Sequence, residues 1–125
     1  MAELNEPVKW DRTVWRGSDH AWQLRRVTEA GAPVVPSSAR AQVRQWYGGE
    51  LWLDMSSEAL DGPRIDVDPV GGWITMVIPE AATAGPEWDD RESGVWDLEV
   101  VVDGATYRWA MGKVAVSQDV TREVV

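Results

Sequence analysis

The chain of 125 residues contains no cysteine, no phenylalanine and a single histidine, His20. Without cysteine there is no disulfide, no thiolate metal site and no thiol nucleophile, which fits a reducing compartment. With one histidine, a Ser–His–Asp triad has one available base, and no serine stands in a Gly-x-Ser-x-Gly setting. His20 therefore reads as a turn or strand-start residue. Lysine is scarce as well, limited to Lys9 and Lys113, and the formal net charge is −9. Phosphate backbones are bound by clustered Lys and Arg, so nucleic acid is not an expected partner. Acidity of this size serves solubility, and its sharper use is docking onto a basic partner surface. No apolar run approaches the length of a membrane span, and the opening MAELNEPVKW has no signal-peptide pattern, so no membrane partner is expected.

What the chain has instead is tryptophan, nine of them, within an ordinary apolar content of 44%. Phe, Lys and Asn use AT-rich codons, whereas Trp, Gly, Ala and many Arg codons are GC-rich. The bias points to a GC-rich coding sequence, which third codon positions would decide, with indoles filling the core.

The clearest pattern runs from Val95 to Val116. Asp103-Gly104 is a two-residue turn of the kind that accepts φ > 0 at both positions. It sets Val102 opposite Ala105, Val100 opposite Tyr107, Leu98 opposite Trp109 and Trp96 opposite Met111 on an apolar face. Glu99 falls opposite Arg108 on the other face. Leu98, Val100, Tyr107 and Trp109 are expected to be buried together. Such an aromatic face needs a second layer to cover it.

Other strands alternate in the same way. They lie at about 8–15, 20–28 (Trp22 and Leu24 inward), 39–47, 51–57, 64–68 and 73–78. Turn signals stand between them at Arg16–Asp19, Glu29–Pro33, Gly48–Glu50, Asp61–Pro63 and Gly71-Gly72. Pro79 to Ala84 reads as one helical turn with Pro first, and Gly85–Gly94 as an acidic loop holding Trp88. Gly112 is expected to bend the last strand. The chain is thus expected to be all-β, an immunoglobulin-like β-sandwich of about eight to nine short antiparallel strands. It forms a single domain, 1–125, with 1–6 and 118–125 as flexible or interface arms.

The hairpin around Gly48-Gly49-Glu50 supplies the candidate site. A three-residue loop pairs Val43 with Met55 and Tyr47 with Leu51 on one face. On the other it pairs Arg44 with Asp54 and Trp46 with Trp52. Trp22, Trp96 and Trp109 fall on inner faces. Trp46, Trp52 and Trp88 do not, and together with Arg44 and Asp54 they form an expected protein interface. A loop bearing Trp88 or an N-terminal arm bearing Trp10 would be the alternative cover for the Trp46–Trp52 pair. Asp66 with Asp68, and Asp89 with Asp90, are paired carboxylates at solvent positions. The spacing of a calcium loop is absent, and no phosphate-cradling glycine loop is present. No catalytic residue, metal or cofactor is expected.

Several of these motifs together resemble a family. They are Trp96-Asp97-Leu98, Asp103-Gly104, Gly112, Val114, Val116 and Val120-Thr121-Arg122. Upstream, Gly17-Ser18-Asp19, the strand of Trp22 and Leu24, the Ala41–Val43–Arg44 strand and the run Ile74–Ala84 are similar. The pattern resembles small β-sandwich modules of bacteriophage virions: the N-terminal domain of baseplate upper proteins and related tail-fibre-associated sandwich proteins. The resemblance implies a non-enzymatic structural subunit associated with the tail or baseplate, forming a homo-oligomer among other virion proteins. In larger members the module precedes receptor-binding or fibre segments. This chain ends three residues after Val120-Thr121-Arg122, which favours a free-standing assembly subunit. A capsid-decoration or head–tail connector protein is the alternative, and a carbohydrate-binding module or small hydrolase is the competing class.

Overall fold

The structure is a computed structural model that describes residues 6–118. Most of the expected arms, 1–6 and 118–125, and the Val120-Thr121-Arg122 motif lie outside the described residues. Eleven strands follow in order: Val8–Lys9 (β1), Arg12–Trp15 (β2), His20–Leu24 (β3), Arg26–Val27 (β4), Pro33–Val34 (β5), Ser38–Arg44 (β6), Leu51–Ser56 (β7), Arg64–Val67 (β8), Ile74–Ile78 (β9), Ser93–Val102 (β10) and Ala105–Ser117 (β11). Eight of them have four residues or more, and β1, β4 and β5 have two. Two short 3-10 turns, Glu80–Thr83 and Pro86–Trp88, join β9 to β10.

The larger sheet has the order β1-β11-β10-β6-β7, with β2 also on β11, and the smaller has the order β3-β9-β8. Taking β3, β9 and β8 as B, E and D, and β6, β7, β10 and β11 as C, C′, F and G, this is the immunoglobulin arrangement. The fold is therefore the expected all-β sandwich. Two pairings depart from antiparallel order, since β1 and β2 both run parallel to β11. The first stretch of chain lies along the last strand and covers what would be an open sheet edge.

The organising hairpin is β10–β11. Asp103 and Gly104 both have positive φ, 50° and 81°, as a two-residue primed turn requires. Pairing runs as expected from Val102–Ala105 to Glu99–Arg108, and then slips. Leu98 lies opposite Ala110 and Trp96 opposite Gly112, not opposite Trp109 and Met111. Trp109 is the extra residue of a β-bulge. A bulge lets two consecutive side chains leave strict alternation, and Trp109 and Ala110 are both fully buried. Tyr107, also expected inside, is half-buried at the rim of the core.

Inside, Trp22, Ile65, Ile74, Met76 and Ile78 of the smaller sheet meet Ala41, Val43, Met55, Leu98, Val100 and Trp109 of the larger. The sheets are pinned by Trp22 of strand B and Trp96 of strand F, edge to face with centroids 5.6 Å apart. Antibody domains place their inter-sheet disulfide between these same two strands. Trp96 also stacks edge to face on Trp10 at 6.0 Å and donates its Nε1–H to the Trp10 carbonyl at 2.7 Å.

Gly112 lies within the unbroken strand β11, at a point of close approach. A Cβ there would sit 2.3 Å from the Trp10 carbonyl oxygen. Its bareness lets the Trp10-Asp11 link pass close, where Asp11 accepts the Lys113 amide at 2.9 Å. At the other end of the core, Arg16 is only 5% exposed. It donates to Gln118 and the Gly85 carbonyl and pairs with Asp89. Gly17 N–H donates to the buried Thr83 hydroxyl. These contacts fasten the two 3-10 turns to the sandwich.

Trp109→Ala should cost roughly 3–5 kcal/mol in a denaturant titration, because the bulge seats the whole ring in the core. The Trp109 Nε1–H is buried without an acceptor among the described residues. Trp109→Phe removes that orphaned donor while filling most of the space, so it should cost less than about 1.5 kcal/mol. A loss near that of the alanine variant would show that the indole, not its volume, is what the bulge holds.

Candidate functional site at the hairpin end of the sandwich

The β6–β7 hairpin departs from the expected register in an informative way. Ala41 pairs with Met55, Gln42 with Asp54 and Val43 with Leu53. The ladder then slips, and Arg44 pairs with Leu51. Val43–Met55 and Arg44–Asp54 are therefore not cross-strand partners. Trp52 is the bulged residue, so it leaves the face it was expected to share with Trp46. The loop is closed by Gln45 N–H to the Glu50 carbonyl at 2.9 Å and Gly49 N–H to the Trp46 carbonyl at 2.8 Å. Gly48, third of the four turn residues, has φ +82°, a value glycine adopts without steric cost.

The five expected interface residues separate. Trp88 is 1% exposed and belongs to the core, anchored by its Nε1–H to the Ala82 carbonyl at 3.0 Å. Trp52 is half-buried, edge to face on Trp88 at 5.9 Å. A Cβ on Gly94 would lie 2.7 Å from the Trp52 ring, so glycine there makes room for the re-aimed indole. The Trp88 segment thus covers Trp52, the intramolecular alternative for that half of the pair. Trp46 is left behind, 57% exposed, beside Tyr47 at 54% and Leu51 at 40%. Tyr47 and Leu51 had been assigned to a pair on one face; they are instead exposed at the tip with Trp46.

Arg44 turns away from Asp54 and donates to the Gly49 carbonyl at 2.8 Å and to Gln42 Oε1. Asp54 is held instead by Arg40, in a two-pronged contact at 3.1 and 2.9 Å. That hydrogen bonding holds the Asp54 carboxyl below its ordinary value, against a smaller opposing push from burial. On β10, Asp97 is pushed the other way. Burial raises it, and Arg108 at 3.4 Å opposes the rise. Arg108 also reaches Glu99, the cross-strand pair expected from the turn. The exposed face of the larger sheet is a lattice of paired charges rather than an aromatic platform. A groove of about 460 Å³ on it is lined by Ser38, Arg40, Asp54, Ser56, Glu99 and Thr106 among others, with no aromatic ring for a sugar to stack on.

Among the described residues no group of three or more His, Asp and Glu converges as a metal site, and no helix is long and apolar enough to cross a membrane. Asp66 is exposed and lies 3.6 Å from Arg64, while Asp68 accepts the Val70 amide in a local turn. Asp89 binds Arg16, and Asp90 is exposed. His20 starts β3 as expected, and its Nε2 accepts the Trp15 amide at 2.9 Å. That contact needs a neutral ring protonated at Nδ1. Burial lowers the His20 pKa below 6.5; Arg12 adds to the lowering, while a backbone contact to Ser18 and the charge of Asp19 oppose it.

No family model matches the chain, and no curated protein matches it. Among solved structures, one similar fold is described as "Parallel homodimer structures of the extracellular domains of the voltage-gated sodium channel beta4 subunit explain its role in cell-cell adhesion". The superposition covers 98% of this chain and 96% of that one, with a TM-score of 0.39 and 10% sequence identity.

Two measurements check the electrostatics. Arg40→Ala should raise the Asp54 pKa toward 3.8 in a side-chain NMR titration, whereas Arg44→Ala, which removes only a weaker charge interaction, should raise it less. The stability lost with Arg40 should be small, since the pair is exposed and screened by solvent. For His20, a lowered folded pKa means stability that is complete above pH 6.5 and falls as pH drops through the folded value. The urea midpoint should therefore decline on acidification below about pH 6.5, before most carboxylates titrate. His20→Gln should flatten that decline; an unchanged slope would assign it to another group.

Proposed function

We propose that this chain is a non-enzymatic structural subunit of a bacteriophage virion, a tail- or baseplate-associated sandwich that works by protein–protein assembly. The observation that carries this reading is the tip of the β6–β7 hairpin. Trp46, Tyr47 and Leu51 stand out together on a turn tied down by Gln45–Glu50 and Arg44–Gly49 bonds. Large aromatics on a rigid support carry much contact area with little conformational entropy to lose, the usual make-up of interface hot spots. The motifs shared with virion sandwich modules support the setting, and the charge lattice and aromatic-free groove favour assembly over sugar binding.

The partners in this reading are other virion proteins, with further copies of the chain within the particle. A capsid-decorating or head–tail connector subunit would use the same tip, and the two placements differ only in where the protein sits. Trp46→Ser with Tyr47→Ser should leave the fold intact, because neither ring belongs to the core, and should abolish incorporation into the particle. Gold-labelled antibody on purified particles then distinguishes tail from capsid. Normal incorporation of the double variant would reject the hairpin tip as the interface. Absence of the wild-type protein from particles would reject the virion reading itself.

A further inference from the structure

The tip is one half of a larger surface, and the other half is the segment 86–93. The two are joined by Glu50–Arg91 at 3.8 Å and by Trp52 against Trp88. Trp88 points into the core, so its neighbours on the segment point outward. Glu87, Asp89, Asp90 and Glu92 are all exposed, as is Glu50 on the hairpin.

The cations of this end are turned inward. Arg16 is buried beneath the segment, bonded to the Gly85 carbonyl and paired with Asp89. The Arg91 side chain is 14% exposed, its guanidinium 4.5 Å from the Trp88 ring centroid and 5.2 Å from that of Trp52. Arg44 is committed to Gly49 and Gln42. The positive charges serve as internal fasteners, Arg16 holding Asp89 and Arg91 holding Glu50, and the carboxylates of Glu87, Asp90 and Glu92 remain as outward-facing charge without an ion pair among the described residues.

Trp46 is exposed and also pre-seated. A Cβ on Gly49 would fall 2.6 Å from Trp46 Nε1 and 2.7 Å from Cδ1, so the indole lies against the bare backbone of its own turn. One side of the ring is supported by glycine, and more than half of the side chain remains open. An exposed indole face is a receptor for a guanidinium, which stacks on the ring, and the acidic segment joined to the same hairpin favours a cationic partner.

We infer that this end of the sandwich docks onto an arginine-bearing, positively charged face of a different protein of the particle, with a guanidinium stacked on Trp46. The inference rests on the assembly reading above and names the chemistry of its partner. A second copy is the poorer occupant. Each copy carries a net charge of −9, and the arginines at this end are already engaged. Like-charged ends repel, whereas a basic face gains both steering and contact.

The test pairs a probe with the particle. The probe is a synthetic twelve-residue peptide with arginine at every third position in a Gly/Ser background, titrated into the ¹⁵N-labelled protein. Shifts should concentrate on the Trp46 indole and on amides of 46–51 and 86–93. Asp90→Lys with Glu92→Lys should weaken peptide binding about ten-fold and block incorporation, while the charge-matched control Glu58→Lys with Asp61→Lys should do neither. Gly49→Ala deletes no charge and no ring, yet it displaces Trp46 and should weaken binding several-fold. If the lysine pair perturbs folding, Asp90→Asn with Glu92→Gln carries the same test with half the charge change. Shifts spread over the whole acidic surface, equal weakening by both double-lysine variants, or normal incorporation of the Asp90/Glu92 variant would overturn the inference. Loss of incorporation with Trp46→Ser/Tyr47→Ser but not with the charge variants leaves the assembly reading standing and removes only the basic partner.

Discussion

The constraint on which this sandwich depends is the joining of two sheets without a covalent link. Trp22 and Trp96 meet edge to face across the interior, and Trp96 is held in turn by Trp10 through a ring contact and a hydrogen bond. Arg12 lies 4.1 Å from the Trp10 ring centroid and 5.4 Å from that of Trp22, capping the stack from the N-terminal strand. A disulfide acts largely on the unfolded chain by shortening its free loops. An aromatic stack acts through the native state alone, through buried area and ring geometry, so it demands correct placement of every strand that bears a ring. That demand ties β2, β3 and β10 together and explains why Gly112 must be bare: the Trp10 carbonyl has to reach both Trp96 and the flank of β11.

Bulges are where the amino-acid pattern stopped being readable. Alternation of period two identifies strands and their inward residues, and it located Trp22, Trp96, Leu98, Val100 and Trp109 correctly in the core. It also located the Asp103-Gly104 turn and, through it, the Glu99–Arg108 pair, because turn chemistry is local. A bulge breaks the period by one residue and inverts every pairing beyond it. The slip at Leu98/Glu99 did this on one hairpin and the slip at Val43/Arg44 on the other. In both cases the extra residue is a tryptophan that moves inward, Trp109 fully and Trp52 in part. The pattern offers a clue to this only in retrospect. Gly94 lies against the Arg44 carbonyl, one residue before Arg44's partner Val95, where any larger residue would collide with the ring of Trp52.

The candidate site was legible as a region but not as a set of residues. Unexplained tryptophans pointed to the Gly48–Glu50 hairpin and the acidic loop, and the structure does bring those two segments together. Which indole faces water depended on the bulge and on Pro86–Trp88 forming a 3-10 turn that buries Trp88. The missed partners are Arg91 and Arg16. Arg91 sits in a charge run and Arg16 opens a turn, and at both a solvated position is the default reading. Nothing local marks a long cationic side chain that will fold back over aromatic rings rather than extend into solvent.

That folding back has a consequence for the surface. An arginine placed between two indoles or beneath a loop contributes packing and hydrogen bonds to its own chain. Its charge is then committed to one carboxylate, Asp89 for Arg16 and Glu50 for Arg91, and does not reach the others at the boundary with water. Stability and surface potential are set by the same few side chains: the more completely Arg16 and Arg91 are used as fasteners, the more acidic the end of the sandwich becomes. The excess of Asp and Glu in this chain is therefore unevenly distributed in its effect. On the exposed face of the larger sheet the carboxylates of Asp54, Asp97 and Glu99 are matched by Arg40 and Arg108, which leaves little long-range field. At the hairpin end Asp89 and Glu50 are held by Arg16 and Arg91, while Glu87, Asp90 and Glu92 face water with no ion pair among the described residues, on a segment joined to the hairpin whose exposed indole is seated on glycine. A strong field beside a rigid aromatic is what distinguishes that end from the rest of the molecule, and it follows from where the arginines go rather than from where the acids are.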